Sequence, residues 1–309
     1  MAATFRLGLL KELHRDGSVT VADFGKRHEV DPGSLHALAC AMRTADVVKY
    51  DAAAGTISQG AAFADVYASK GFFYWLIAGY GPMLQNLAAL ARTGHDRDRG
   101  PLRNGAEVAR AAQDYGASFV DKTFLAVLQE EPLGTVADIG CGSAQRLIEL
   151  ARSHPDLRGV GVDIDPEVVD LAQARIETAG LESRLTALAG DLKTMQPTDE
   201  CRNVDVIFSL FMGHDLWPRQ DCIAALRGIR EIFPNARRFL LCDTYQSGAL
   251  TGDGIPVFTL GFELTHAVMR QYIPTVDEWM GVIEESGWTC TRRVELGIPY
   301  SCIFELRST

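Results

Sequence analysis

Two acidic residues and two closely spaced glycines form the most informative cluster in this 309-residue sequence. Asp138, Gly140 and Gly142 end a run of apolar residues that predicts a buried strand, and a predicted helix follows them. Glycine lets the backbone turn sharply and lets a ligand approach it closely. Asp163 ends the next predicted strand, roughly 20 residues after the glycines, where a carboxylate can accept the hydroxyls of a ribose. The pattern predicts a ligand site at the carboxyl ends of parallel strands.

Two other interpretations of this segment remain open. A plain structural turn would need the glycines but no acidic residue on the next strand. A nicotinamide dinucleotide site needs the pattern G-x-G-x-x-G, which lets a pyrophosphate rest on a helix N-terminus. Here Ala144 is two residues after Gly142 and Gln145 is three residues after it, so the third glycine is absent.

The motif Asp-x-Gly-x-Gly-x-Ala resembles the first motif of class I S-adenosylmethionine (SAM) methyltransferases, with Ala144 where a third glycine is usual. The resemblance implies SAM as cofactor, and a carboxylate at Asp138 suits a ligand that carries an amino group and a sulfonium but no phosphate. It also implies that Asp163 binds the ribose and that Gly190 and Asp191 lie near the adenine. The expected cofactor-binding residues are Asp138, Gly140, Gly142, Asp163, Ile164, Gly190, Asp191, Leu192 and Ser209.

Strand and helix patterns alternate from residue 135 onward. Strands are predicted near 135–139, 159–163, 185–188, 204–210, 238–243, 288–294 and 300–306, and helices near 144–153, 166–179, 219–233, 258–270 and 275–286. Repeated βα units imply an α/β fold with a parallel sheet and helices on both faces. A turn near 297–299 makes the last two strands a hairpin, so one strand is antiparallel. This is the seven-stranded, Rossmann-like arrangement of class I methyltransferases, and the resemblance covers roughly residues 133–307.

The first 60 residues predict short helices followed by a small hairpin, which is a winged-helix pattern. Such a pattern raises DNA binding as an alternative function. The segment that would read DNA carries one cation, Arg43, and few donors for phosphates or bases. Similar winged-helix domains pair the subunits of small-molecule methyltransferases, so the resemblance implies a homodimer. The expected domains are a winged-helix dimerisation domain at 1–60, a helical linker contributing to the substrate pocket at 61–132 and a SAM-binding catalytic domain at 133–309.

A histidine after the fourth predicted strand of the sheet supports a first chemical hypothesis. His214 and Asp215 stand there, followed by Trp217. The stretch resembles the His-Asp-Trp region of small-molecule O-methyltransferases, in which the histidine is the general base. A neutral imidazole can take a phenolic proton near physiological pH as the oxygen attacks the methyl group.

A second hypothesis starts from His266, on a largely apolar predicted helix with Glu263 one turn before it. A lone histidine on such a helix is more often a buried core residue. Together with the aromatic and arginine-rich linker, however, it resembles the C-methyltransferases of 2-oxo acids, such as the phenylpyruvate and 2-ketoarginine enzymes. The resemblance implies a metal, iron or zinc, bound by His214, His266 and Met212, with Asp215 and Glu263 as substitutes for the methionine.

The resemblance implies that the 2-oxo acid chelates the metal, that the metal stabilises the enolate, and that the β-carbon attacks the SAM methyl group. Arg97, Arg99 or Arg103 can bind the substrate carboxylate bidentately. We favour C-methylation of an arylpyruvate or 2-ketoarginine-like acid, in biosynthesis of a β-methyl amino acid. The expected catalytic residues are His214, Asp215, His266 and Arg97. O-methylation of a small hydroxylated metabolite is the alternative enzyme function, and regulatory SAM binding is the alternative without catalysis.

Composition restricts the other classes of function. A net charge of −10 argues against a large nucleic-acid surface, because phosphate binding needs local positive charge. The 7 cysteines are scattered without a C-x-x-C pair, which indicates a reducing compartment. We find neither the apolar run of a signal peptide nor an uninterrupted membrane span. The sequence therefore predicts a cytoplasmic enzyme with a small-molecule substrate.

Overall fold

The computed structural model describes residues 1–92, 103–248 and 257–308. The chain divides into two compact units, Met1–Ser118 and Phe119–Thr309. The predicted boundaries near residues 60 and 132 stay predictions. Within the described ranges, no helix is both long and apolar enough to cross a membrane.

The first unit is mainly helical and contains one small sheet. Its elements in chain order are α1 (Ala2–Arg6), α2 (Leu9–Asp16), β1 (Ser18–Thr20), α3 (Val21–His28), α4 (Pro32–Thr44), β2 (Val48–Asp51), β3 (Thr56–Gln59), α5 (Phe63–Ala68), α6 (Lys70–Tyr74), a π-helical turn (Trp75–Gly79), α7 (Gly81–Gln85), α8 (Leu87–Leu90) and α9 (Gly105–Phe119). The sheet has the order β1-β3-β2 and all its pairings are antiparallel.

Local chemistry explains how these elements begin and end. Thr20 and Asp31 cap α3 and α4 by accepting hydrogen bonds from the backbone N–H groups of Asp23 and Ser34. The first helical residues form two helices, α1 and α2, because Gly8 adopts a left-handed conformation (φ 82°) between them. Strand β1 was not predicted, since three residues are too few to show an alternating pattern.

The second unit is an α/β domain. After α10 (Asp121–Leu128), its elements are β4 (Thr135–Ile139), α11 (Gln145–Ser153), β5 (Arg158–Asp163), α12 (Pro166–Thr178), β6 (Leu185–Ala189), α13 (Asp199–Arg202), β7 (Val206–Leu210), a 3-10 turn (Gly213–Leu216), α14 (Arg219–Ile232), β8 (Arg238–Thr244), α15 (Val257–Met269), α16 (Val276–Glu285), β9 (Trp288–Glu295) and β10 (Ser301–Ser308). The predicted strands and helices of this unit are confirmed, with small shifts at their ends.

The seven-stranded sheet has the order β6-β5-β4-β7-β8-β10-β9. Strands β4 to β8 pair in parallel, whereas β10 runs antiparallel to both β8 and β9. The central strands are apolar almost throughout because helices cover both faces of the sheet, and every residue of β8 is buried. This topology brings the carboxyl ends of β4, β5, β6, β7 and β8 to one edge of the sheet.

An ionic cluster lies at the opposite end of β8. Arg238 is 1% exposed and donates to Glu305 on β10 at 2.8 Å. It also donates to the carbonyl oxygens of Val127 and Leu128, which are at the end of α10. One buried guanidinium therefore ties this helix to the sheet.

Candidate active site

The backbone turn after β4 is built around a carbonyl of the neighbouring strand. The N–H groups of Gly140 and Cys141 both donate to the carbonyl oxygen of Val162, at 2.8 and 3.1 Å. Gly140 has φ 73° and Gly142 has φ 52°, a region that favours glycine. A Cβ on Gly140 would lie 2.9 Å from Cγ of Met212. The sequence therefore needs glycine at position 140 for both conformation and space.

Ala144 marks the departure from the usual glycine pattern. It retains a left-handed conformation (φ 55°) and is the residue before α11. A non-glycine residue in this conformation costs about 1–2 kcal/mol. The turn therefore keeps a backbone geometry typical of glycine, although the residue has changed.

Asp138 is an acid buried without a hydrogen-bond donor. It is 3% exposed, and no described residue donates a hydrogen bond to its carboxylate. Burial raises its pKa from 3.8 to about 7, although the Arg146 guanidinium opposes this rise and the Asp163 carboxylate adds to it. A buried carboxylate in this state favours a cationic partner, so the site fits a ligand that carries an ammonium group.

Asp163, at the end of β5, is held by the glycine turn. One of its carboxylate oxygens accepts from the N–H of Gly142 at 3.1 Å, and the other accepts from the N–H of Asp165 at 3.2 Å. Its own carbonyl accepts from the N–H of Gly190 at 2.9 Å. These contacts fix Asp163 at the edge of the sheet, with lone pairs remaining for ribose hydroxyls.

A cavity of about 460 Å³ opens at this edge, a size suited to a nucleoside ligand. The predicted cofactor, catalytic and metal-binding residues that line it are Gly140, Asp163, Ile164, Gly190, Asp191, Leu192, Met212 and Asp215. Ile164 is 71% exposed there and can cover a purine ring. Asp138 precedes the lining residue Ile139, and Gly142 is two residues after Gly140. Ser209 is 1% exposed and donates to the carbonyl oxygen of Ile139, which ties β7 to β4.

His214 is held rigidly by an acid that the sequence did not single out. Its backbone N–H donates to Oδ2 of Asp243 at 2.9 Å, and its Nδ1 bonds Oδ1 of Asp243 at 2.8 Å. Asp243 is fully buried at the end of β8 and also accepts from the N–H of Thr244. Because a carboxylate can only accept, Nδ1 carries a proton, and Asp243 fixes the orientation of the ring.

His266 adopts the same tautomer by a different route. Its Nδ1 is 2.7 Å from the carbonyl oxygen of Phe262, one turn earlier on α15, and a carbonyl can only accept. The ring is 2% exposed and stacks on Phe262 with centroids 3.9 Å apart. The centroids of His214 and His266 are 5.2 Å apart. Two imidazoles with engaged Nδ1 atoms therefore lie next to each other after the carboxyl end of β7.

The predicted metal site is only partly assembled. Hydrogen bonds that fix Nδ1 are typical of metal-binding histidines, so His214 and His266 suit such a role. Within the described ranges, however, no three His, Cys, Asp or Glu side chains are grouped around one possible ion. Glu263 accepts from the N–H and hydroxyl of Ser247. Met212 lies over Gly140 in the cofactor cavity, and its role as a ligand stays a prediction.

Of the three arginines predicted to bind the substrate carboxylate, the structure describes only Arg103. Arg97 and Arg99 lie outside the described residues. Arg103 belongs to the first unit, where it donates to the hydroxyl of Tyr80 at 3.4 Å. Its role in substrate binding stays a prediction.

Comparison with known proteins agrees with this geometry. Residues 136–234 match a family described as a methyltransferase domain. The chain is 32% identical to methyltransferase ungE' of Aspergillus campestris (strain IBT 28561), over 99% of this chain and 92% of that protein. The chain belongs to the class I SAM-dependent methyltransferases.

Other relatives of this methyltransferase carry out different methyl transfers. It is 29% identical to an indolepyruvate C-methyltransferase of Streptomyces griseus, over 76% of this chain and 70% of that protein. The solved structure of the mitomycin 7-O-methyltransferase MmcR superposes with a TM-score of 0.68 at 20% identity, covering 100% of this chain and 93% of that one. That superposition shows a shared fold and does not show which atom this enzyme methylates.

Asp243, which holds His214, is a residue of the candidate site that sequence reasoning did not single out in this methyltransferase. A signal for it existed, because Asp243 ends a predicted strand at the same sheet edge as Asp138 and Asp163. Its pairing with His214 depends on the turn between β7 and α14. Gly213 makes that turn possible, since a Cβ there would lie 2.8 Å from Oδ2 of Asp243.

Proposed function

We propose that this methyltransferase transfers a methyl group from SAM to the β-carbon of a 2-oxo acid, an arylpyruvate or 2-ketoarginine-like compound. The observation that carries the proposal is the pair His214 and His266, two buried imidazoles whose Nδ1 atoms are both engaged. An O-methyltransferase base needs only one such histidine. The indolepyruvate C-methyltransferase relative supports the same reaction class. The product would be a β-methyl 2-oxo acid, the precursor of a β-methyl amino acid.

His214 and His266 are the residues that would hold a transition metal, iron or zinc, with Met212 as the proposed third ligand. When bound, such an ion supplies Lewis-acid polarisation of the substrate ketone. Asp243 and the carbonyl of Phe262 accept from the two Nδ1 atoms, so Nε2 is the nitrogen of each ring that would bind the ion. The two histidines would thus form a part of the site from which water is largely excluded.

Asp215 is suited to remove the β-carbon proton. Its Oδ1 is 4.0 Å from Nε2 of His214, and the residue is 43% exposed and lines the cofactor cavity. We propose that this carboxylate acts between the histidine and the methyl donor. Loss of the proton leaves a nucleophilic carbon that attacks the methyl group of SAM in line. Arg97 is the proposed partner of the substrate carboxylate.

The decisive experiment combines elemental analysis with turnover for the wild-type protein, purified without a histidine tag, and a His266→Ala variant. We expect about one transition metal per chain in the wild type, its loss in the variant, and methylation of phenylpyruvate, indolepyruvate or 2-ketoarginine by the wild type alone. If neither protein holds a metal and both still bind SAM, the chelated 2-oxo acid reaction is excluded.

O-methylation is the second candidate, favoured by the buried pair of His214 and Asp243. That pair is a complete general base for a hydroxyl group and needs no metal. Under this function, His214→Ala would abolish methylation of a hydroxylated metabolite, and His266→Ala would leave most of it. A comparison of kcat for the two variants separates the candidates.

We also propose that residues 1–60 form a winged-helix dimerisation domain and that the enzyme is a homodimer. The sheet of β1, β2 and β3 next to α2, α3 and α4 supports this arrangement. Sedimentation equilibrium of the full chain tests it. A mass of one chain at micromolar concentration would contradict the dimer.

A further inference from the structure

A histidine and a cysteine lie side by side on α4, in the first unit. His36 and Cys40 are four residues apart, so both side chains occupy one face of the helix. Sγ of Cys40 is 3.7 Å from Nε2 of His36. His36 is exposed and Cys40 is half-buried, so solutes reach both groups. The methyl transfer proposed above uses neither residue.

Strand β2 fixes the orientation of the imidazole. The hydroxyl of Tyr50 is 2.8 Å from Nδ1 of His36, and the two rings meet edge to face. When Nδ1–H donates to this hydroxyl, Nε2 carries a lone pair directed toward the thiol. The Cys40 S–H then donates to Nε2, which accounts for the observed contact.

The spacing of the two atoms matches a metal chelate. Zinc binds thiolate sulfur at about 2.3 Å and imidazole nitrogen at about 2.0–2.1 Å, and a tetrahedral angle between these bonds gives a sulfur-to-nitrogen separation of about 3.6 Å. The measured separation is 3.7 Å. An ion can therefore replace the thiol proton at nearly the same separation, after a small rotation of the thiol that moves the sulfur off the axis of the Nε2 lone pair.

We propose that His36 and Cys40 bind a thiophilic divalent metal ion such as zinc. The ion forms one bond to Sγ and one to Nε2, and the Cys40 thiol proton leaves to solvent, so one proton is released for each ion bound. Water completes the coordination on the exposed side. Tyr50 fixes the histidine, as the outer hydrogen-bond partners of metal-binding imidazoles commonly do. With two protein ligands, the ion exchanges with solution more readily than in a closed four-ligand site.

Cobalt(II) titration of the full-length chain tests this site, because thiolate coordination gives a charge-transfer absorption in the near ultraviolet. We expect the band to appear in the wild type, to disappear on addition of zinc, and to be accompanied by proton release. Cys40→Ser should remove the band, and His36→Ala should weaken cobalt binding by about 100-fold. Tyr50→Phe should weaken it by about tenfold.

Two controls separate this site from others. Cys290 is the other cysteine of the chain that is not buried, and Cys290→Ser should leave the band unchanged. A metal at His214 and His266 would have no thiolate ligand and would remain bound in Cys40→Ser. Methyl transfer should be unaffected by that substitution. Absence of the band in the wild type, its persistence in Cys40→Ser, or equal affinity in His36→Ala would overturn the proposal.

Discussion

The buried carboxylate of Asp138 should make the stability of this methyltransferase depend on pH in a way that Asp138→Asn removes. The carboxyl holds its proton up to about pH 7 in the folded protein, against an ordinary pKa of 3.8. The folded state therefore binds more protons than the unfolded state between these values, and stability falls as the pH rises through this window.

The size of the effect follows from the same shift. The folded and ordinary pKa values differ by about 3.2 (7 − 3.8), which corresponds to about 4 kcal/mol at 1.36 kcal/mol for each pH unit. The free energy of unfolding of the wild type, measured relative to Asp138→Asn, should therefore fall by about 4 kcal/mol between pH 4 and pH 8. Above about pH 8 the difference between the two proteins should be constant.

Urea unfolding of both proteins without ligand, across this pH range, measures the difference directly. Taking the difference between the two proteins removes the contributions of the other titrating groups. S-adenosylhomocysteine, which carries the same ammonium group as SAM, should bind the wild type more weakly by about tenfold for each pH unit below 7. Asp191→Asn is the matched control. This variant should bind S-adenosylhomocysteine more weakly, but its affinity should still change slope near pH 7, since Asp191 is not among the charges acting on Asp138. An unfolding difference that is flat from pH 4 to pH 8 would refute the account of Asp138.

Three further substitutions test other parts of the structure. Asp243→Asn should lower kcat by about 100-fold or more with little change in cofactor affinity, because the amide no longer fixes the tautomer of His214; a kcat within a few-fold of the wild type would contradict this role. Arg238→Met should lower the free energy of unfolding by about 1–3 kcal/mol, measured by urea denaturation, because the carbonyl oxygens of Val127 and Leu128 lose their donor. Glu305 keeps Arg292 and Arg307 as partners, so no uncompensated carboxylate remains. Gly140→Ala should cost about 1–2 kcal/mol for its left-handed backbone and weaken cofactor binding in calorimetry, and an unchanged Kd would argue against a cofactor in this turn.

The second unit was predictable from sequence because its strands are buried on both faces. Such strands appear as short apolar runs, and β4, β5 and β8 end in Asp138-Ile139, Asp163 and Asp243-Thr244 at the cofactor edge. Since the carboxyl ends of parallel strands converge, a glycine turn and an acid on adjacent strands also locate the ligand site.

Other features depend on contacts that have no local pattern. The pairing of His214 with Asp243 joins residues from different strands and is set by the turn at Gly213. The burial of Asp138 without a donor depends on side chains from other parts of the unit. Strand β1 has too few residues to be recognised before β3 pairs with it. Such features arise from tertiary packing, which a single sequence does not display.

The turn at Gly213 also limits how this enzyme can change during evolution. A side chain there would meet the Asp243 carboxylate, Leu241 at 2.9 Å and Trp279 at 3.1 Å. Any heavier residue must therefore displace part of the His214–Asp243 pair or part of the core. We expect changes in substrate preference to arise instead at Leu216 and Trp217, which line the cavity. In a library of variants spanning this turn, position 213 should accept glycine alone, whereas positions 216 and 217 should yield enzymes with altered specificity.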